Sequence, residues 1–168
     1  MYNQKDTKHK FVDAALGLVY ASTGTWTAGV ATDVLSYDKQ AADNTPVLEG
    51  SISSFVDVDA RVGTTIEYIV VYYSVATAAL EAAPTLEFHK TTFHATTHAP
   101  TATTVAGTAT SGTNGTAVGS YAAVYTPASD LVLNASQRLT FELTANAATT
   151  SVFKVIGYDI VYTTWGEY

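Results

Sequence analysis

Apolar and polar residues alternate with a period of two along much of this chain, which predicts β-strands. The alternation is clearest over residues 137–145, as in a strand with one exposed face. Residues 66–75 carry large apolar side chains at both parities, which is typical of a central strand covered on both faces. Residues 85–93 and 151–163 predict two further long strands. In the last one, Gly157 lies where the apolar parity switches, so we expect a β-bulge there.

The remaining segments have shorter patterns. We expect strands over residues 26–37, 47–58 and 121–126, each bounded by polar or turn-forming residues. Residues 14–21 fit either a strand or a short helix, and their periodicity does not choose between the two.

About eight strands, with no convincing helix longer than two turns, indicate an all-β chain. We expect a single-domain β-sandwich with a jelly-roll-like arrangement, and an immunoglobulin-like sandwich is the alternative. The sandwich is expected to cover residues 11–168, with residues 1–10 as an N-terminal arm. A segment rich in Ala, Thr and Gly covers about residues 95–120. It is expected to project, because Asn114-Gly115 favours a tight hairpin turn.

Composition limits the chemistry that this chain can perform. The 168 residues carry a formal net charge of −7, which argues against binding to nucleic acid, because phosphates are neutralised by clustered Lys and Arg. The sequence contains no Cys, so disulfides, thiolate metal sites and thiol nucleophiles are excluded. No apolar run approaches the roughly 18 residues that span a bilayer, and no membrane contact is expected.

The basic residues are concentrated at one end. Lys5, Lys8 and Lys10 lie within the first ten positions. Two interpretations are open: a solvated tail, or an arm that docks on an acidic neighbouring protein.

Candidate metal ligands are few. His89, His94 and His98 provide three imidazoles, which zinc or nickel accepts, but their spacing fits no short ligand motif. Asp57 and Asp59 form an Asp-x-Asp pair without the other oxygen ligands of a calcium loop. We therefore expect neither a bound metal nor another cofactor.

Catalytic motifs are also missing from the sequence. It contains no Gly-x-Ser-x-Gly nucleophile elbow and no glycine loop of the kind that cradles phosphates. Glu67, Glu87 and Glu142 could be combined into a carboxylate pair for glycoside hydrolysis, but any β protein with three strand glutamates would permit this. The sequence therefore predicts a protein that is not an enzyme.

Four aromatic residues lie near predicted strand ends or the C-terminus: Trp26, Tyr37, Trp165 and Tyr168. Packing of these rings within the subunit is one interpretation; at such positions a ring can also stack on a sugar or pack against another subunit.

The central strand at 66–75, the Ala-rich turn into 84–88 and the closing strand at 153–162 resemble small jelly-roll decoration (cement) proteins of tailed-phage heads. This resemblance implies a structural virion protein, a homotrimer on the outer capsid surface that bridges subunits of the major capsid protein. Lys5, Lys8 and Lys10 would then contact the capsid. The alternative is a carbohydrate- or receptor-binding β-module of a phage fibre or tail, or of a secreted protein.

Overall fold

The structure is a computed structural model that describes residues 5–20, 26–31, 34–39, 47–58, 63–97, 99–112, 115–147 and 151–165. These residues form twelve strands and one short helix: β1 (Lys5–Asp13), α1 (Ala14–Gly17), β2 (Leu18–Tyr20), β3 (Trp26–Ala31), β4 (Val34–Lys39), β5 (Val47–Ser51), β6 (Thr64–Ala76), β7 (Leu80–Phe93), β8 (Pro100–Gly112), β9 (Gly119–Pro127), β10 (Leu131–Leu133), β11 (Gln137–Ala147) and β12 (Val152–Trp165). No helix among the described residues is long and apolar enough to cross a membrane.

The strands form two antiparallel sheets that pack face to face. Sheet I has the order β2-β5-β11-β7-β8, and sheet II has the order β9-β6-β12-β4-β3, with β1 paired to β12 and β10 paired to β6. The hydrogen-bonded ladder is continuous because β8 belongs to both sheets. Its residues up to Gly107 pair with β7, and those from Gly107 onward pair with β9. The all-β sandwich prediction is confirmed.

The chain crosses repeatedly from one sheet to the other, as in a jelly roll. For example, β5 lies in sheet I, β6 in sheet II, β7 in sheet I, and β11 and β12 again in opposite sheets. Strands that are adjacent in sequence therefore often face each other across the core.

Large side chains from both sheets fill the space between them. Phe141 of sheet I and Tyr158 of sheet II are both buried, and their rings meet edge to face with centroids 4.8 Å apart. The buried Tyr125 hydroxyl of sheet II donates to the Pro84 carbonyl of sheet I at 2.7 Å. Apolar burial holds the sheets together, and tyrosine hydroxyls satisfy backbone carbonyls at the interface.

The predicted β-bulge at Gly157 is present. The register of β12 against β6 shifts between Val155 and Gly157, so Val155 and Tyr158 are both buried although the residues differ in parity. A side chain at position 157 would also obstruct β1, because a Cβ there would lie 2.6 Å from Phe11 Cζ and 2.7 Å from the Val12 carbonyl oxygen.

Some strand boundaries differ from the sequence prediction. The segment predicted as one strand over 26–37 contains two antiparallel strands, β3 and β4. The strand predicted over 47–58 ends at Ser51, because the backbone turns there and the Phe55 amide donates to the Ile52 carbonyl. The segment 14–21 begins with helix α1 and continues into β2.

Strand β6 is covered fully on one face only. Ile69, Val71 and Tyr73 are buried, whereas the alternate residues Val70 and Tyr72 are partly exposed. The prediction of a strand buried on both faces was therefore wrong. On the outer parity, the ring of Phe11 on β1 lies beside that of Tyr72, with centroids 5.9 Å apart.

The predicted N-terminal arm and the predicted projecting segment both form strands in the parts that the structure describes. Residues 5–10, predicted as an arm, belong to β1, which pairs with β12 from Lys5–Trp165 to Asp13–Gly157. Much of the tract predicted to project forms β8, which pairs with strands of both sheets. Asn114 of the predicted hairpin turn lies outside the described residues.

Candidate functional site

A groove of about 320 Å³ lies at the edge of sheet I, beside the point where β2 begins. Strand β5 and Thr140 of β11 contribute its floor, and the end of α1 and the turn after β5 contribute its sides. The lining residues are Leu16, Gly17, Glu49, Gly50, Ser51, Ser54, Phe55 and Thr140. Its volume falls in the lower part of the range found for small-molecule sites.

The lining of the groove combines apolar and hydrogen-bonding groups. Leu16 is 73% exposed, and Phe55 is partly buried against the core. The Ser51 and Ser54 hydroxyls are joined by a hydrogen bond of 2.8 Å, and Glu49 is exposed. The groove therefore offers apolar surface, hydroxyl groups and one carboxylate to the same ligand.

Core contacts hold the groove in shape. A Cβ at Gly50 would collide with the Phe141 ring, so this floor position cannot carry a side chain without repacking. The Tyr158 hydroxyl lies 2.7 Å from the Ser51 carbonyl and 3.2 Å from the Gly17 carbonyl. Burial raises the pKa of Tyr158, so its hydroxyl keeps the proton that it donates.

Two rows of opposed residues begin at the groove and cross the outer face of sheet I. The glutamate row consists of Glu49, Glu142 and Glu87, which lie directly opposite one another on β5, β11 and β7. A second row lies two residues along each strand and consists of Ser51, Thr140 and His89. It is called the hydroxyl row after Ser51 and Thr140. Like charges directly opposite each other destabilise a sheet, so folding alone does not favour the glutamate row.

The histidines do not form a metal centre in the described part of the chain. His89 Nε2 lies 3.9 Å from Glu87 Oε2, and His94 Nδ1 accepts hydrogen bonds from the Thr96 and Thr97 amides. His98 is outside the described residues. The described residues contain no group of three or more His, Asp or Glu side chains placed to hold a metal.

Two of the three N-terminal lysines are in ion pairs. Lys5 Nζ lies 3.1 Å from Glu67 Oε1, and Lys8 Nζ lies 3.4 Å from Asp57 Oδ2. Lys10 is exposed on β1. Lysines on an edge strand oppose pairing with another chain, which gives them a structural role independent of any capsid contact.

The pKa of the Glu67 carboxyl lies below its ordinary value. Partial burial raises the pKa of this carboxyl, but the hydrogen bond from the Thr163 hydroxyl and the contact with Lys5 outweigh that effect, so the net shift is downward. Glu67 lies on β6 of sheet II, whereas Glu87 and Glu142 lie on sheet I, so the three carboxylates do not form one site.

Of the four predicted aromatic residues, Trp165 is the one whose side chain the structure describes, and it does not line the groove. Trp165 is 43% exposed at the end of β12, opposite Lys5. Trp26 and Tyr37 occupy register positions opposite Lys39 and Ala28 in the β3–β4 hairpin. Tyr168 is outside the described residues.

The sequence analysis did not identify an aromatic pair that lies on the surface of sheet II. Phe11 is 50% exposed, and its ring centroid is 5.9 Å from that of Tyr72. Asp159, directly opposite Phe11 in the register, lies with its Oδ2 3.1 Å from His9 Nδ1. Partial burial and the Asp159 charge together raise the pKa of Tyr72.

Sequence comparisons do not place the chain in a family. No model of a known protein family matches it, and no curated protein gives a significant match.

Solved structures with a similar course of the chain include two carbohydrate-binding modules and a phage protein. One is the CBM22-1–GH10 portion of the Clostridium thermocellum N-terminal endo-1,4-β-D-xylanase 10B in complex with xylohexaose, with a TM-score of 0.48 and 11% identity over 95% of this chain. This chain spans 28% of that structure. A CBM28 specific for non-crystalline cellulose gives a TM-score of 0.36 and 13% identity, covering 92% of this chain and 89% of the module.

The phage protein is the enzymatically active domain of tailspike protein 4 of bacteriophage CBA120. It gives a TM-score of 0.35 and 14% identity, covering 89% of this chain and 19% of that one. All these TM-scores are below 0.5.

Proposed function

We propose that this chain is a carbohydrate-binding β-sandwich module that holds a glycan in the groove beside β5. The mixed lining of the groove carries this proposal. A sugar presents hydroxyl groups around its ring and apolar C–H surface on its ring faces. Leu16 and Phe55 offer apolar contact, while Ser51, Ser54 and Glu49 offer donors and acceptors.

The binding is proposed to occur without catalysis. Glycoside hydrolysis usually needs two carboxylates on either side of the scissile bond. Glu49 is the carboxylate among the described residues that line the groove. It can accept hydrogen bonds from sugar hydroxyls through both oxygens.

Affinity electrophoresis through gels containing soluble polysaccharides tests this function. We expect at least one neutral polysaccharide to retard the protein, and Phe55→Ala to reduce the retardation at least threefold. Phe93→Ala is the matched control, because Phe93 is an exposed phenylalanine outside the groove. Migration unaffected by every polysaccharide, or equal retardation of the Phe55→Ala variant and the wild type, would contradict the proposal.

The role on a phage head stays a prediction, together with the homotrimer and the major capsid protein as partner. Co-sedimentation with purified phage shells tests it. Saturable binding to shells that is lost in Lys10→Glu, with no retardation by any glycan, would favour the capsid role over the carbohydrate-binding role.

A further inference from the structure

We infer that the groove continues across the outer face of sheet I as a track for a linear, uncharged glycan, and that this track excludes acidic glycans. The inference rests on the proposed function and specifies its ligand class. The track comprises the glutamate row and the hydroxyl row: Glu49, Glu142, Glu87, Ser51, Thr140 and His89.

The geometry makes the groove and the rows continuous. Glu49, Ser51 and Thr140 line the groove and are also members of the two rows. From β5 the rows run across β11 to β7, and neighbouring strands are about 4.8 Å apart, so the track spans about 10 Å in all. The step from β11 to β7 lies beyond the groove. Glu87 at its far end is exposed and does not line the groove.

The side chains of the track suit hydroxyl-rich ligands. Each carboxylate accepts several hydrogen bonds and donates none, whereas each hydroxyl both donates and accepts. Hydroxyl groups of successive sugar units can therefore bond to carboxylates that recur at each strand. A sugar that places hydroxyl groups among the three carboxylates also shields their mutual repulsion.

The negative charge of the track distinguishes neutral glycans from acidic ones. Its side chains carry three carboxylates and no permanently positive group. The nearest arginine along β11, Arg138, is two residues beyond Thr140 and donates to the Gln137 carbonyl. A carboxylated glycan on this surface would be repelled, and salt would weaken that repulsion.

Two cellulose derivatives with one backbone test this inference, neutral hydroxyethylcellulose and anionic carboxymethylcellulose. At low salt, we expect hydroxyethylcellulose to retard the protein in affinity gels at least tenfold more strongly than carboxymethylcellulose does. At high salt, we expect the ratio of the two retardations to be smaller. The Glu142→Gln/Glu87→Gln double variant should gain at least threefold on carboxymethylcellulose. Glu81→Gln is the control, because it removes one charge from β7 outside the track.

A length series tests the reach of the track. Glu87→Ala should weaken binding of cellohexaose at least threefold and leave binding of methyl β-glucoside unchanged, because only the oligosaccharide extends from the groove to β7. Binding of neither derivative, in a protein that no other polysaccharide retards, would overturn the proposed function itself. Equal or preferential binding of carboxymethylcellulose would overturn the charge selection and leave carbohydrate binding intact. An equal effect of Glu87→Ala on methyl β-glucoside and cellohexaose would overturn the track.

Discussion

The Tyr158 hydroxyl connects the core to the proposed glycan groove, so Tyr158→Phe is a sharp test of the structure. This buried tyrosine donates to the Ser51 carbonyl at 2.7 Å, with the Gly17 carbonyl at 3.2 Å as an alternative acceptor. Ser51 and Gly17 both line the groove. The substitution removes one oxygen atom and leaves the ring packing against Phe141 in place.

The expected cost follows from the unsatisfied carbonyl. A buried acceptor that loses its partner costs about 1–3 kcal/mol. For a domain of this size, each 1 kcal/mol lowers Tm by about 2–4 °C. We therefore expect a fall in Tm of several degrees. We also expect at least a threefold loss of glycan affinity, because Ser51 in the lining of the groove loses the hydrogen bond that anchors its carbonyl to the core.

Tyr125→Phe is the matched control. Its hydroxyl is also buried and donates to a backbone carbonyl at 2.7 Å, but the acceptor is Pro84, which does not line the groove. Both variants should lose similar stability in urea denaturation, while only Tyr158→Phe should lose affinity in calorimetric titration with the best-binding polysaccharide. Equal affinities of the two variants would refute the link between the core bond and the groove.

Two further predictions concern the fold. Gly157→Ala should lower the free energy of unfolding by about 1–3 kcal/mol, because the added Cβ would overlap Phe11 and the Val12 carbonyl. Urea denaturation measures this change, and a variant as stable as the wild type would contradict the account of the bulge. Burial raises the pKa of Tyr73 to about 12, so this group favours folding fully below pH 10 and progressively less as the pH rises toward 12. Tyr73→Phe should therefore reduce the loss of stability between pH 10 and 12 in thermal denaturation, and an unchanged pH dependence would contradict it.

The sequence predicted the parts of this fold that depend on local pattern. Alternation over 137–145 correctly indicated β11, and the parity switch at Gly157 correctly indicated a bulge, because both are visible within a few residues. The number of strands between residues 26 and 58 was harder to predict, because the short strands and the turns there have similar compositions. Residues 5–10 were interpreted as an arm, because polar residues on an edge strand resemble those of a solvated tail.

The candidate site could not be predicted in the same way. Glu87 and Glu142 each fit the exposed parity of a strand, but their pairing with Glu49 depends on which strands become neighbours. That choice is made by packing between segments far apart in the chain, and a single sequence does not display it. The groove likewise depends on Gly50 and Phe141, an ordinary glycine and an ordinary core residue until they lie opposite each other.

Mapping of amide chemical shifts during titration with a neutral oligosaccharide tests carbohydrate binding at the groove most directly. Saturable shifts are expected at Gly17, Gly50, Ser51 and Thr140, with the amides of Phe11, Tyr72 and Trp165 on sheet II unchanged. Shifts confined to sheet II, or no shifts with any oligosaccharide tested, would contradict the assignment of the groove as the glycan-binding site.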